Sequence, residues 1–216
     1  MRLAPEGSKK TATPFLVIAA ASAALLTWSA YTAAARTVTG AELDVFRYIN
    51  NWPDGLRGVF LVITQLGSAW MVFAVTLVAA WKKYYRMSLR IFSLAATAFV
   101  VTELLKQWIG RPRPPLLLSG VELRQTLPLG YGFPSGHSAL ATVLSLVLVP
   151  LLPKKWRWLP LMGVVLVGLS RIYLGVHAPL DVLAGIAIGA GVVSASQLVR
   201  GKLRFVTKIT RLKLAD

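Results

Sequence analysis

Apolar residues in this chain fall into six long blocks, at roughly 14–35, 58–81, 91–109, 137–152, 159–176 and 179–199. Several approach the ~20 residues that an α-helix needs to cross a hydrocarbon core about 30 Å thick. Backbone in lipid must satisfy its own polar groups, so such blocks predict helices rather than open strands. The expectation is an all-α polytopic membrane protein with six transmembrane helices. It comprises one domain over residues 14–199, an N-terminal tail over 1–13 and a basic C-terminal tail over 200–216. Between the first two blocks, Leu43, Phe46, Ile49 and Trp52 recur at helical spacing, which predicts a short amphipathic helix in the 36–57 connection. That helix could be a packed connector or a lid over a substrate. The 110–136 connection opens with "GRPRPP" and closes with "GYGFPSG", and the connection between the last two blocks, around residues 176–179, is very short.

Charge gives the predicted bundle a direction. Assigning the ends and loops alternately to two sides puts 16 of the 24 Lys and Arg residues on one side. They lie in the N-terminal tail (Arg2, Lys9, Lys10), the 82–90 loop (Lys82, Lys83, Arg86, Arg90), the 153–158 loop (Lys154, Lys155, Arg157) and the tail from Arg200 to Lys213. By the positive-inside bias that side is cytoplasmic, and both termini with it. The formal charge of +16 then points to anionic lipid headgroups as partners of these loops rather than to nucleic acid. Only 15% of residues are charged, against about a quarter in a soluble domain. The first block follows Lys9 and Lys10 and ends in small residues, as a cleavable signal would. Its apolar run exceeds the roughly 7–15 residues of a signal core, so a retained span is expected. With no cysteine, neither a disulfide nor a thiolate-ligated metal site can form.

The polar residues that stand out near the other face are Lys106, Arg111, Arg113, Ser135, His137, Ser170, Arg171, His177 and Asp181. Each alone could be structural; a lysine or arginine at a span end snorkels to headgroups. Together, Lys106, Arg113 and Arg171 make a cationic site suited to phosphate oxygens. Ser135 and Gly136 open the fourth block, where free N–H groups and the helix dipole favour an anion. The stretch "GYGFPSGHSAL" at 130–140 therefore reads as a phosphate cradle. His177 and Asp181 are four residues apart and can face each other, leaving one imidazole nitrogen as base or nucleophile. His137 is a candidate acid for a leaving oxygen. Asp181 is the single carboxylate assigned to the set, so no metal site and no cofactor are expected.

These residues carry a family resemblance. Lys106 is followed after six residues by Arg113-Pro114, then comes Pro134-Ser135-Gly136-His137, then Ser170-Arg171, His177 and Asp181. The set resembles the three-part signature of the type 2 phosphatidic acid phosphatase superfamily, which includes lipid phosphate phosphatases, undecaprenyl diphosphate phosphatases and glucose-6-phosphatase. All three parts are complete and in order. The resemblance implies that Lys106, Arg113, Ser135, Gly136 and Arg171 hold the phosphoryl group. It further implies that His177, oriented by Asp181, forms a phosphohistidine and that His137 protonates the leaving group. Six spans, an extracytoplasmic active site and a metal-independent reaction are implied as well.

The expected function is hydrolysis of a membrane lipid phosphate or diphosphate at the extracytoplasmic face of a bacterial cell membrane. Undecaprenyl diphosphate is favoured, ahead of phosphatidylglycerol phosphate and phosphatidic acid, because so small a chain leaves little room for a selective headgroup pocket. A lipid-to-lipid phosphotransferase would use the same residues. A lipid transporter or flippase, its charges lining a path, is the alternative of another class.

Overall fold

The structure, a computed structural model, describes residues 6–213, with side chains over 13–201. Arg2 and the side chains of the other tail lysines and arginines beyond those bounds lie outside the described residues. Among the described residues there are eight α-helices and no strand. In chain order they are α1 (Glu6–Ala33), α2 (Gly40–Asn50), α3 (Arg57–Ile63), α4 (Ala69–Trp81), α5 (Tyr85–Ile109), α6 (Gly136–Leu148), α7 (Trp158–Tyr173) and α8 (Pro179–Lys213).

Three helical stretches are long and apolar enough to cross a membrane, namely Thr13–Ala33, Tyr85–Leu116 and Pro179–Gly201. The pair Asp54–Gly67 and Ala69–Trp81, bent by 54°, makes a fourth if it is one span. Gly136–Leu151 is a shorter apolar helix, and α7 has 16 residues.

One block departs from its predicted form. Residues 58–81 are not a continuous helix: Thr64–Gly67 tightens to a 3-10 turn, and Ser68 is extended at φ −78°, ψ 157°. Ser68 then caps α4, its Oγ accepting from the Met71 N–H at 3.2 Å. Thr64, in that 3-10 turn, accepts from the side chain of Arg171 at 2.8 Å.

Helix α6 is the hub, packed against α5, α7 and α8, while α1 lies along α8. Ile91, Ala95, Ala98, Val143, Val147 and Ile188 are among the residues of its core. The α6–α8 approach depends on Gly185 and Gly189, one helical turn apart on α8. A Cβ at Gly189 would sit 2.6 Å from the Ala139 carbonyl, and one at Gly185 would collide with the Ser135 carbonyl. This close approach brings the first turns of α6 and α8, hence Ser135 and Asp181, side by side. The Ser135 N–H donates to the Asp181 main-chain carbonyl at 2.8 Å.

The predicted amphipathic helix is α2, and it is a packed connector. Phe46 and Ile49 are buried with Phe60, Tyr173 and Val176. Buried Asn50 donates to the carbonyls of Glu122 (3.0 Å) and Tyr173 (3.1 Å). Arg124 completes this clamp: it donates to the Asn50 and Trp52 carbonyls and to Asp54, with its guanidinium over the Tyr173 ring. The long 110–135 connection is thereby tied to α2 and α7.

Candidate active site

Four local structures deliver the motif residues. Lys106 lies in the last turn of α5, which ends at Gly110, a left-handed residue at φ 64° whose N–H returns to the Lys106 carbonyl at 2.9 Å. The chain then leaves the helix through Arg111 and Arg113. Ser135 is the N-cap of α6, its Oγ accepting from the Ser138 N–H (3.4 Å) and the Ser138 hydroxyl (3.1 Å). Arg171 is in the last turn of α7, His177 in the tight connection that follows, and Asp181 in the first turn of α8.

These elements converge. Arg113, Arg171 and Lys106 all act electrostatically on His177, and the same three cations and His177 act on His137. Arg113 Nη1 is 3.3 Å from His177 Nε2 and donates to the Val176 carbonyl at 3.1 Å; its Nε donates to the Gly130 carbonyl. An arginine only donates, so Nε2 is the accepting nitrogen and the ring proton belongs on Nδ1. Nδ1 faces Asp181, whose Oδ2 lies 3.4 Å away without the alignment of a hydrogen bond. Asp181 Oδ2 also accepts from the Ala178 N–H at 2.9 Å. His177 is buried, and its pKa is held well below the ordinary imidazole value, by burial first and then by Arg113, Arg171 and Lys106. Burial and the three cations thus favour the uncharged imidazole, with the Nε2 lone pair turned toward Arg113.

Arg171 is 2% exposed, so its charge is held by neighbours rather than water. Its Nη1 donates to Thr64 Oγ1 (2.8 Å) and Gln125 Oε1 (3.2 Å). Its buried Nε has no protein partner. Lys106 pairs with Glu103 at 2.7 Å, three residues earlier on α5. Of the nine polar residues singled out from the sequence, Lys106, Arg113, Arg171, His137 and His177 act on one another, and Asp181 stands against His177. Ser135 and Arg111 bond to Asp181, and the Ser170 hydroxyl instead donates to the Val167 carbonyl within α7.

The sequence reading took Asp181 as the lone acidic member, and the structure corrects this. Glu103 meets Lys106, and Glu42 on α2 meets Arg111, which in turn meets Asp181. Glu103 was accessible from its i, i+3 spacing to Lys106. Glu42, Thr64 and Gln125 are far away in sequence and carry no local signal. Among the described residues, no group of three or more His, Cys, Asp or Glu is arranged to hold a metal.

Comparison with known proteins assigns the class. The family model described as "PAP2 superfamily" matches residues 88–204. The chain is 30% identical over 154 residues to an undecaprenyl-diphosphatase of Sulfolobus acidocaldarius, covering 70% of this chain and 74% of that one. Among solved structures, Aquifex aeolicus LpxE superposes with a TM-score of 0.67 at 30% identity, over 73% of this chain and 96% of that chain. A PAP2-type phosphatidylglycerolphosphate phosphatase from Bacillus subtilis gives 0.61 at 28%, over 87% and 96%. The chain belongs to the PAP2 superfamily. It is a membrane protein and a phosphoric ester hydrolase of the lipid phosphatase type, in a family that needs no metal.

Proposed function

We propose that the protein hydrolyses a lipid diphosphate or phosphate monoester, with a polyprenyl diphosphate as the preferred substrate, through a phosphohistidine at His177. One observation carries this reading: Arg113 meets His177 at Nε2 while Asp181 stands at Nδ1 of the same ring. The terminal phosphoryl oxygens enter among Arg113, Arg171 and Lys106; on Arg113 they replace the contact with His177 Nε2, while the Gly130 and Val176 carbonyls keep the guanidinium in place. Ser135 adds its hydroxyl hydrogen, free because Ser138 is the donor between the two. At Gly136 a Cβ would make only an ordinary contact, with Thr102 at 3.8 Å, so its absence leaves room for a ligand against the first turn of α6.

The Nε2 lone pair then forms the N–P bond as the bridging P–O bond breaks, and His137, protonated once the bound phosphoryl group's negative charge offsets the cations around it, gives that proton to the departing lipid oxygen. Charge that develops on the equatorial oxygens is stabilised by the three cations. Asp181 opposite Nδ1 offsets the positive charge on the phosphorylated ring. Water activated by His137, now a base, attacks phosphorus, and the N–P bond breaks to return neutral His177. The undecaprenyl-diphosphatase relative favours a diphosphate of a long isoprenoid; the B. subtilis neighbour keeps phosphatidylglycerol phosphate in view.

In this reading the chain crosses the membrane six times, with both termini in the cytoplasm and the site on the extracytoplasmic face. The bent pair around Gly67 and the shorter α6 and α7 complete the six. Exposed Trp81, Tyr84, Tyr85, Trp156 and Trp158 lie beside the basic 82–90 and 153–158 segments, and exposed Tyr31, Tyr48 and Trp108 lie at the helix ends near the site. Two such sets suit the two water–lipid boundaries, with anionic headgroups against the basic loops. Ser119, exposed on the 110–135 connection, provides the test in this cysteine-free chain. Ser119→Cys reacts with an impermeant maleimide on intact cells; labelling only after lysis reverses the topology.

The activity is tested by offering purified protein a panel of polyprenyl diphosphates, phosphatidylglycerol phosphate and phosphatidic acid, scoring free phosphate and phosphorylated lipid separately. The expected outcome is free phosphate, fastest from the polyprenyl diphosphate, at a rate unchanged by EDTA. Phosphorylated acceptor lipid without free phosphate would make it a phosphotransferase. No turnover of any phosphate, with lipid movement across vesicles, would make it a transporter.

A further inference from the structure

Arg111 lies two residues from Arg113 but faces away from the phosphate site. Its side chain is 0% exposed. Nη1 donates to Asp181 Oδ1 (3.0 Å) and to Glu42 Oε1 (3.0 Å). Nη2 donates to Glu42 Oε2 at 2.6 Å and to the Thr37 carbonyl. With both terminal nitrogens engaged by protein, Arg111 has no fork to offer a phosphate. Glu42 has a further contact: its Oε1 accepts from the Leu180 N–H at 3.1 Å, in the first turn of α8 next to Asp181.

We propose that Glu42 and Arg111 are positioning residues for phosphoryl transfer, acting through Asp181 on the tautomer and aim of His177. This deepens the phosphatase reading and rests on it. The two oxygens of Asp181 have separate tasks. Oδ1 is held by Arg111, while Oδ2 faces the Ala178 N–H and His177 Nδ1. A fully buried carboxylate keeps its charge only when it is paired and hydrogen-bonded.

Without Arg111, Asp181 would have Glu42 as a nearby like charge and would take up a proton. A neutral carboxyl no longer holds the imidazole proton on Nδ1, and the proton is then free to occupy Nε2, where it blocks attack on phosphorus. Glu42 grips the Arg111 fork through both oxygens and fixes the direction in which Nη1 points. It also ties α2 to the start of α8, so the packed connector serves the nucleophile directly. Groups facing Asp181 from the surrounding elements are Glu42 on α2, Arg111 and Arg113 on the 110–135 connection, and His177 before α8.

The test uses the whole chain in detergent. Arg111→Gln is expected to lower kcat by about 10–100-fold with KM changed by less than about threefold, because the cations that hold the phosphate are untouched. On an Asp181→Asn background the same substitution should add less than about twofold. Glu42→Gln, which keeps shape and loses charge, should give a smaller loss of the same kind if Arg111→Gln does not fold. A second readout needs no substrate. The chain has two histidines, so 15N spectra of labelled imidazoles resolve His177, with His137→Gln as the assignment control. Wild type should show the proton on Nδ1, and both variants a shift toward Nε2. An unchanged tautomer with wild-type kcat, or losses that multiply with Asp181→Asn, would overturn the assignment. Absence of phosphate release from wild type would instead remove the phosphatase reading, and the tautomer measurement would still decide the role of Arg111.

Discussion

His177→Ala is expected to cut phosphate release by about 10⁴-fold or more, the scale on which loss of a covalent nucleophile registers. Alanine leaves Arg113, Arg171, Lys106 and Ser135 in place, so the substrate should still bind with KM close to wild type. The loss would then sit in kcat. The geometry behind this is specific. His177 is buried, its Nε2 is 3.3 Å from Arg113 Nη1, and burial with three neighbouring cations keeps it unprotonated. An imidazole held neutral in this way needs no general base to free its lone pair. The measurement is steady-state release of inorganic phosphate by purified variant and wild type. Release by His177→Ala near the wild-type rate would remove the residue from the reaction.

Arg113→Lys is expected to lower kcat by about 10²–10³-fold, although it keeps the charge. The guanidinium holds three things at once: the Gly130 carbonyl through Nε, the Val176 carbonyl and His177 Nε2 through Nη1. An ammonium is a single point on a flexible stem and cannot span them. The lysine variant should therefore bind substrate with an altered pose and attack it poorly. Salt should not rescue it, because Arg113 is 4% exposed and screening acts weakly on a buried charge. Kinetics of the two variants on one lipid phosphate separate the effects: His177→Ala loses kcat alone, whereas Arg113→Lys loses kcat and raises KM. Equal rates for Arg113→Lys and wild type would mean that charge alone is needed at this position.

Much of this was legible along the chain, and for a physical reason. Residues that hold a dianion must be cations, helix starts and imidazoles, and in an apolar sequence each is conspicuous. Lys106, Arg113, Ser135, His137, Arg171, His177 and Asp181 stood out by chemistry, and the structure gathers them. Helix ends were less legible. Helix α5 begins at Tyr85, inside a segment read as a basic loop, and α8 continues to Lys213, beyond the apolar block. Hydropathy marks where lipid begins, whereas lysine and arginine are good helix formers and let a helix run on into the interface. The break at Gly67 was hidden because Thr64 and Ser68 are too few to interrupt an apolar pattern. Glu42 was hidden for another reason. Its partner Arg111 is 69 residues away, and only the packing of α2 beneath α8 joins them.

The account depends most on a bond between phosphorus and one imidazole nitrogen. Rapid acid-free quenching of protein turning over a 32P-labelled lipid diphosphate, followed by denaturation and gel separation, reads that bond directly. Wild type should retain label that survives alkali and is lost in acid, and His177→Ala should retain none. Wild type without label while it releases phosphate, or label undiminished in His177→Ala, would contradict it.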